Sequence, residues 1–295
     1  VSTGRLGVYH DERYDGPGVL VRKVIPDSPA EREGIVAGDY ILSIGGHDIA
    51  PGENYHVLLE DTAGDEILIE VASSADGRDR REVRIRPVGS VHRLVYEDRV
   101  RQRREKVERA SGGRLGYLHI AGMGTGNLFQ FEEDLFAQGK DKDGLIVDIR
   151  GNGGGSVHDE ILRYLDRRVY GYTMSRGRPP SYNPLELYTM PLALVIDESC
   201  YSDAEIFPMG WKALGLGPVV GTPTFGAVIG TNDVPLIDGT MFRVPGSGWY
   251  DLTGKNLENW GIEPDVRVDA VPEESSEGAD AQLERAVEVL MRQLD

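Results

Sequence analysis

The stretch that most constrains this chain is LALVIDESCYSDAEIF, residues 192–207. Leu192, Ala193, Leu194, Val195 and Ile196 form an unbroken apolar run, the pattern of a strand buried on both faces. Glu198, Ser199, Cys200 and Tyr201 then cross a tight turn, and a helix starts at Ser202 or Asp203 with Ala204, Ile206 and Phe207 as its first apolar side chains. A serine at such a strand-to-helix corner has its hydroxyl exposed beside backbone N–H groups and the positive end of the helix dipole. That setting suits a nucleophile whose intermediate carries an oxyanion. An N-cap serine followed by an acidic first turn fits the same letters.

Residues 113–295 alternate β and α patterns around this corner. RLGYLHIAG reads as a strand, residues 128–136 as a helix capped by Asn127, GLIVDIRGN as a buried strand and residues 158–165 as a helix. PVVGTPT begins the next strand, and the tail from Ala279 is amphipathic, with Leu283, Val287, Leu290, Met291 and Leu294 on one face. Such alternation predicts a mainly parallel sheet flanked by helices. Residues 272–278 read as a mobile acidic connection ahead of the tail.

Three further pieces can converge on Ser202. In Arg150-Gly-Asn-Gly-Gly-Gly155, successive glycines at the end of a strand let the backbone approach a ligand and leave N–H groups pointing at an anion. The loop has no GK[ST] ending and no distal acidic ribose ligand, which argues against a nucleotide site. Gly221-Thr-Pro-Thr-Phe-Gly226 is a strand-to-loop turn suited to a pocket wall, and residues 258–265, ENWGIEPD, place a carboxylate before a GIxPD turn.

The remaining chain bounds the answer. At 295 residues there is room for two domains and an ample core. Lys and Arg total 32 against 49 Asp and Glu, a net charge of −17, which argues against nucleic acid or an anionic membrane as a general partner. Cys200 is the only cysteine, so no disulfide framework or cysteine metal site is expected, and it reads as a small, partly buried residue. No apolar run reaches membrane-spanning length and no signal peptide is evident, making the cytoplasm the expected compartment. The opening VSTGRLGVYH, without an initiator methionine, reads as a piece of something longer.

The first third is β-rich. LGVYHD, GVLVRKVI, YILSIGG, ILIEVAS and EVRIRPV read as strands, with short helical pieces near residues 29–34 and 55–59. VIPDSPAEREGIVAGDYILSIGGHDI closely resembles the PDZ family in its SPAxxxGI–GDxIxxIxG pattern. That resemblance implies an extended peptide end bound by strand addition. Asp15-Gly16-Pro17-Gly18 is a poor version of the loop expected to hold a terminal carboxylate, and a purely architectural domain fits equally well. Residues 96–110 are charged with sparse apolar positions and read as an exposed connecting helix. The expected domains are therefore 1–88, 89–112 as connector, and 113–295.

Taken together, strand–RxNGGG, strand–xxxxS–helix, GTxTxG and GIxPD after a PDZ domain resemble the C-terminal-processing and tricorn group of serine peptidases. The tail-processing branch uses a lysine just after the last glycine of the GxxTxG turn, where this chain has Ala227; Lys212 and Lys255 do not substitute. The tricorn branch matches YLHIAGMG, GLIVDIRGNGGG, CYSDAEIF, KALGLGPVVGTPTFG, LIDGT and ENWGIEPD, nearly the whole chain.

This resemblance implies Ser202 as nucleophile, the N–H groups of Gly155 and Asp203 as oxyanion hole, Glu258 as supporting carboxylate, and Gly154, Thr173 and Thr224 around the substrate. At the position where the family carries an acidic selector for basic residues stands Thr173, with Asp166 nearby. The family's base is a histidine with an adjacent serine on an upstream helical domain. His10, His47, His56, His92 and His119 lack that context, His119 reading as a core residue, and His158 is the only local candidate. The isolated chain is then expected to be nearly inactive. Oligopeptide substrates, a homo-oligomeric complete enzyme and downstream aminopeptidases are implied, with no metal or organic cofactor. The competing reading is a non-catalytic peptide-binding scaffold.

Overall fold

A computed structural model of the chain describes residues 2–184, 189–269 and 279–295. The chain divides into two compact units, Val1–Gln102 and Arg103–Asp295.

The first unit is an antiparallel sheet. Its strands are β1 (Val8–His10), β2 (Val19–Val24), β3 (Tyr40–Ile44), β4 (His47–Asp48), β5 (Ile67–Ala72) and β6 (Arg81–Ile85), ordered β1-β2-β3-β5-β6 with β4 paired to β3. Period-two alternation sends Ile41, Ile69, Val71, Val83 and Ile85 into one apolar core with Ile35 and Leu59. Helix α1 (Pro29–Arg32) starts as the SPA signature predicts: Ser28 Oγ accepts from Glu31 N–H and proline occupies the first turn. A 3-10 turn, Tyr55–Leu59, follows.

Helix α2 (His92–Ala110) carries the division between the units. It is less solvated than its charge pattern suggests, because Asp98 and Val107 are buried. Asp98 is held by Lys23 Nζ and Gln102 Nε2, each at 2.7 Å, and by Arg101.

The second unit is built on a five-stranded parallel sheet, ordered β15-β12-β11-β8-β7. These strands are β7 (Leu115–His119), β8 (Gly144–Asp148), β11 (Leu192–Ile196), β12 (Val219–Gly221) and β15 (Val266–Arg267). Every residue of β11 is buried, as its unbroken apolar run requires. Leu118, Val147, Leu194 and Ile196 pack under α3 (Thr125–Gly139), α4 (His158–Leu165) and α5 (Asp203–Leu214). The alternate residues face the other side, where the tail helix α6 (Ala281–Leu294) lies along β8, β11 and β12. Helix α3 begins three residues before the expected Leu128, with Gly124 rather than Asn127 as its N-cap. The expected acidic connection at 272–278 lies outside the described residues.

Two small hairpins stand apart from this sheet: β9 (Gly171–Thr173) with β10 (Ser181–Asn183), and β13 (Gly230–Pro235) with β14 (Met241–Ser247).

Candidate active site

The site candidates gather where β8 and β11 end side by side, the carboxyl edge at which open parallel sheets bind ligands. After β8 the chain enters the loop 150–156, fixed by Asn152. This side chain is fully buried: its Nδ2 donates to Ile120 C=O at 2.9 Å and its Oδ1 accepts Gly154 N–H at 2.9 Å. Its carbonyl accepts Tyr201 N–H at 3.0 Å, tying the glycine loop to the turn after β11.

Two glycines are required there. Gly154 has φ +92°, and a Cβ on it would sit 2.8 Å from Ser202 Cβ and 3.0 Å from Asp203 N. Gly155 has φ +153°, and a Cβ there would lie 1.9 Å from Met123 C=O. Gly155 bridges Met123 in parallel register: Met123 N–H donates to Gly154 C=O and Ser156 N–H to Met123 C=O. This pattern turns the Gly155 N–H outward, and among the described residues neither it nor the Asp203 N–H has an acceptor.

Ser202 sits at φ +59°, ψ −120°, a conformation uncommon for a residue with a Cβ. Its N–H donates to Glu205 Oε1 at 3.3 Å, and the two residues form a capping box at the start of α5. The N-cap reading therefore accounts for the pairing with Glu205 but not for the positive φ, since an N-cap ordinarily sits in the extended region.

Around this corner the carboxylates are committed to backbone amides. Glu205, fully buried, also accepts from Thr224 Oγ1 at 2.7 Å, Gly226 N–H at 2.6 Å and Ala227 N–H at 2.8 Å. Thr224 is itself buried, and its hydroxyl accepts Ile262 N–H at 2.8 Å, so its side chain braces the turn. Glu258 is half-buried and accepts from Val228 N–H at 2.7 Å and Ile229 N–H at 3.1 Å. It shares the 224–229 turn with Glu205 but forms no hydrogen bond to Ser202. Thr173 stands on the exposed β9–β10 hairpin, where Oγ1 donates to Ser181 C=O at 3.4 Å. The structure thus gathers Gly154, Gly155, Ser202 and Asp203 directly, links Thr224 to them through Glu205, and leaves Thr173 apart. Sequence reasoning passed over Glu205, because an acidic residue in a first turn looks like an ordinary helix-dipole partner.

Beneath the glycine loop lies a buried charge cluster. Arg150 Nε lies 3.0 and 3.1 Å from the Asp148 oxygens, and its Nη1 and Nη2 donate to Asp280 at 2.8 and 2.9 Å. Tyr117 OH and Arg103 also donate to Asp148. Burial alone would raise the Asp148 carboxyl, but the charge and hydrogen bonds of Arg150 outweigh it and hold the group well below the usual carboxylate range. Asp280 is the N-cap of α6, so the tail helix is clamped to the residue that opens the loop.

Of the histidines, His119 is a core residue with Nε2 3.0 Å from Arg150 C=O. His158 turns Nδ1 to Asp203, with which it forms a very short contact, and no hydrogen bond joins it to Ser202. The hydrogen bond to Asp203 raises its pKa against the lowering effect of burial. Cys200 is fully buried, and burial pushes its thiol up.

In the first unit, the loop Asp15-Gly16-Pro17-Gly18 borders a cavity of about 220 Å³ that also exposes Asp11, Glu12 and Glu53, a poor setting for a carboxylate. A larger cavity, about 550 Å³, is lined by residues 4–9 together with Tyr55 and His56. The N–H groups of Leu6 and Gly7 donate to no described residue there.

Sheet, glycine loop and strand-to-helix corner correspond to a known class: residues 114–268 match the profile of peptidase family S41, and the chain belongs to that family. Residues 20–73 match the PDZ domain. Family S41 is a serine peptidase family, and hence one of hydrolases. The chain is similar to tricorn protease homolog 1 of Streptomyces coelicolor, at 35% identity over 99% of this chain and 28% of that protein. It is similar to tricorn protease of Thermoplasma acidophilum at 33% identity, again over 99% and 28%. The crystal structure of the tricorn protease superposes with a TM-score of 0.86 at 30% identity, covering 99% of this chain and 29% of that one. The chain therefore spans just over a quarter of the length of these relatives. Among the described residues no helix is long and apolar enough to cross a membrane, and no group of three or more His, Cys, Asp or Glu forms a metal site.

Proposed function

We propose that this chain is the nucleophile-bearing part of a tricorn-like serine endopeptidase acting on oligopeptides in the cytoplasm. Ser202 Oγ attacks the peptide carbonyl, and the developing oxyanion is received by the N–H groups of Gly155 and Asp203. The acyl-enzyme is then hydrolysed by water. Glu258 fixes the amides of Val228 and Ile229 and so supports the wall of the site. The base is a histidine outside this chain, supplied by another part of a homo-oligomeric full-length enzyme whose products pass to aminopeptidases.

The observation that carries this reading is Ser202, held at positive φ at the strand-to-helix corner beside Gly154 and two amides that have no acceptor among the described residues. In the full-length gene product, Ser202→Ala should lower kcat on oligopeptides on the order of 10⁵–10⁶-fold. Undiminished cleavage would overturn the assignment. The isolated chain should retain only a residual effect, roughly 10³–10⁴ over water, from oxyanion hole and binding contacts.

A second reading concerns the first unit. The 550 Å³ cavity beside the edge strand β1, with Arg5 and the Leu6 and Gly7 amides, suits a peptide chain end. Titrating the chain with peptides bearing a free or an amidated C-terminus tests it, and equal affinity for both would dismiss it.

A further inference from the structure

Asp203 contributes two different groups to the corner. Its backbone N–H, at the first position of α5, has no acceptor among the described residues, like that of Gly155. Its side chain is buried and turned the other way: Oδ2 accepts Val157 N–H at 3.0 Å and His158 N–H at 3.2 Å, while Oδ1 meets His158 Nδ1. Helix α4 has Val157 at its N-cap, a residue with no side-chain acceptor. The cap it lacks comes from Asp203, 46 residues away. The glycine loop runs directly into this cap, so one carboxylate joins its far end to the helix that follows Ser202.

The arrangement raises an electrostatic problem. A bare carboxylate on the residue whose amide receives an oxyanion places like charges close together in a dry setting. His158 answers it. Its ring is about one-fifth exposed, its Nδ1 is on Asp203, and Trp249 stands perpendicular to it at 5.4 Å between centroids. The charged groups that act on the ring are Asp203 on α5 and Asp159 and Glu160 on its own helix, all acidic, so the surroundings favour the proton.

We infer that Asp203 and His158 form a positioning pair: together they aim the Gly155 and Asp203 amides at one point, and the proton on His158 offsets the Asp203 charge that would oppose an anion bound there. The inference rests on Ser202 being the reacting group. Neither side chain touches substrate in this scheme.

Two measurements separate the pair from a merely structural contact. The first is amide hydrogen exchange in the chain. His158→Phe, which removes the donor, should speed exchange at Val157 and His158 about tenfold, the loss of one charge-assisted hydrogen bond, with Val147 and Leu194 unchanged. His158→Gln, which restores a donor, should recover most of that protection. The second is the pH profile of kcat in the full-length gene product. His158→Gln should lower kcat about tenfold with little change in KM, and should abolish the alkaline decline that follows loss of the His158 proton in wild type. Exchange unchanged in His158→Phe, or faster everywhere alike, overturns the positioning role. A wild-type alkaline limb in His158→Gln overturns the charge role. Failure of the peptidase reading is distinct, since it shows as Ser202→Ala retaining activity whatever the loop does.

Discussion

The corner between β8 and β11 and the hairpin β13–β14 belong to the same unit and are built under opposite constraints. At the corner almost every polar group is buried and matched: Asn152, Asp148, Arg150, Asp203 and Glu205 are all under a tenth exposed, and each has partners. Along the hairpin, apart from Gly230 and Thr231 at its start, every residue is exposed, including Val234, Met241, Phe242 and Val244, with Leu236 and Ile237 in its turn. Buried polar groups hold one geometry because any departure leaves a donor or acceptor unpaired in a low-dielectric setting. An exposed two-stranded ribbon has no such penalty and is held by little beyond its own ladder. Position is specified at the corner and barely specified in the hairpin.

Substitution can break this contrast, and the largest effect should come from the charge cluster. Arg150→Met takes from Asp148 and Asp280 the guanidinium that bridges them most closely, leaving only the longer ion pairs with Arg103, and should destabilise the second unit by about 3–5 kcal/mol in denaturant titration. A loss below about 1 kcal/mol would mean the cluster is not desolvated. Next, Gly154→Ala puts a methyl against Tyr201 C=O and Ser202 Cβ at a positive φ, and should cost about 1–3 kcal/mol while distorting the corner. Thr224→Val removes one donor from Glu205 and the acceptor of Ile262 N–H, with an expected loss of about 1–3 kcal/mol. At the other end, Ile237→Ser in the hairpin turn should shift stability by less than about 0.5 kcal/mol. A large loss there would show that the hairpin is covered in solution.

The pH dependence sharpens the same contrast. Asp148 has a folded pKa depressed below the ordinary 3.8, so its contribution is present above that value and lost as pH falls. His158 has a folded pKa raised above the ordinary 6.5, so its contribution is complete below 6.5 and lost as pH rises through the folded value. Thermal unfolding across pH should therefore show an acid limb removed by Asp148→Asn and an alkaline limb removed by His158→Gln. Hairpin substitutions should leave both limbs in place.

What the letters disclosed follows the same division. The apolar run 192–196, the glycine triplet and the serine ahead of an acidic first turn are local patterns, and they sufficed to place the parallel sheet and the corner. Pairings between distant segments were not legible. Arg150 meets Asp280 across 130 residues, and Glu205 meets Gly226 across 21, with no periodicity to announce either. The hairpin escaped notice because TNDVPLIDGTMFRV has no buried face, although Asp238-Gly239 is a turn signal. The charged α2 hid its buried Asp98, whose partner Lys23 lies 75 residues upstream.

In the proposed role of Ser202 as nucleophile, its backbone angle sets durability against reactivity. At φ +59° and ψ −120° a glycine would rest without strain, whereas a residue bearing a Cβ gives up about 1–3 kcal/mol to stand there. A sequence selected only to survive heating would drop the hydroxymethyl group, and the resulting protein would be sturdier and, on that proposed role, chemically silent.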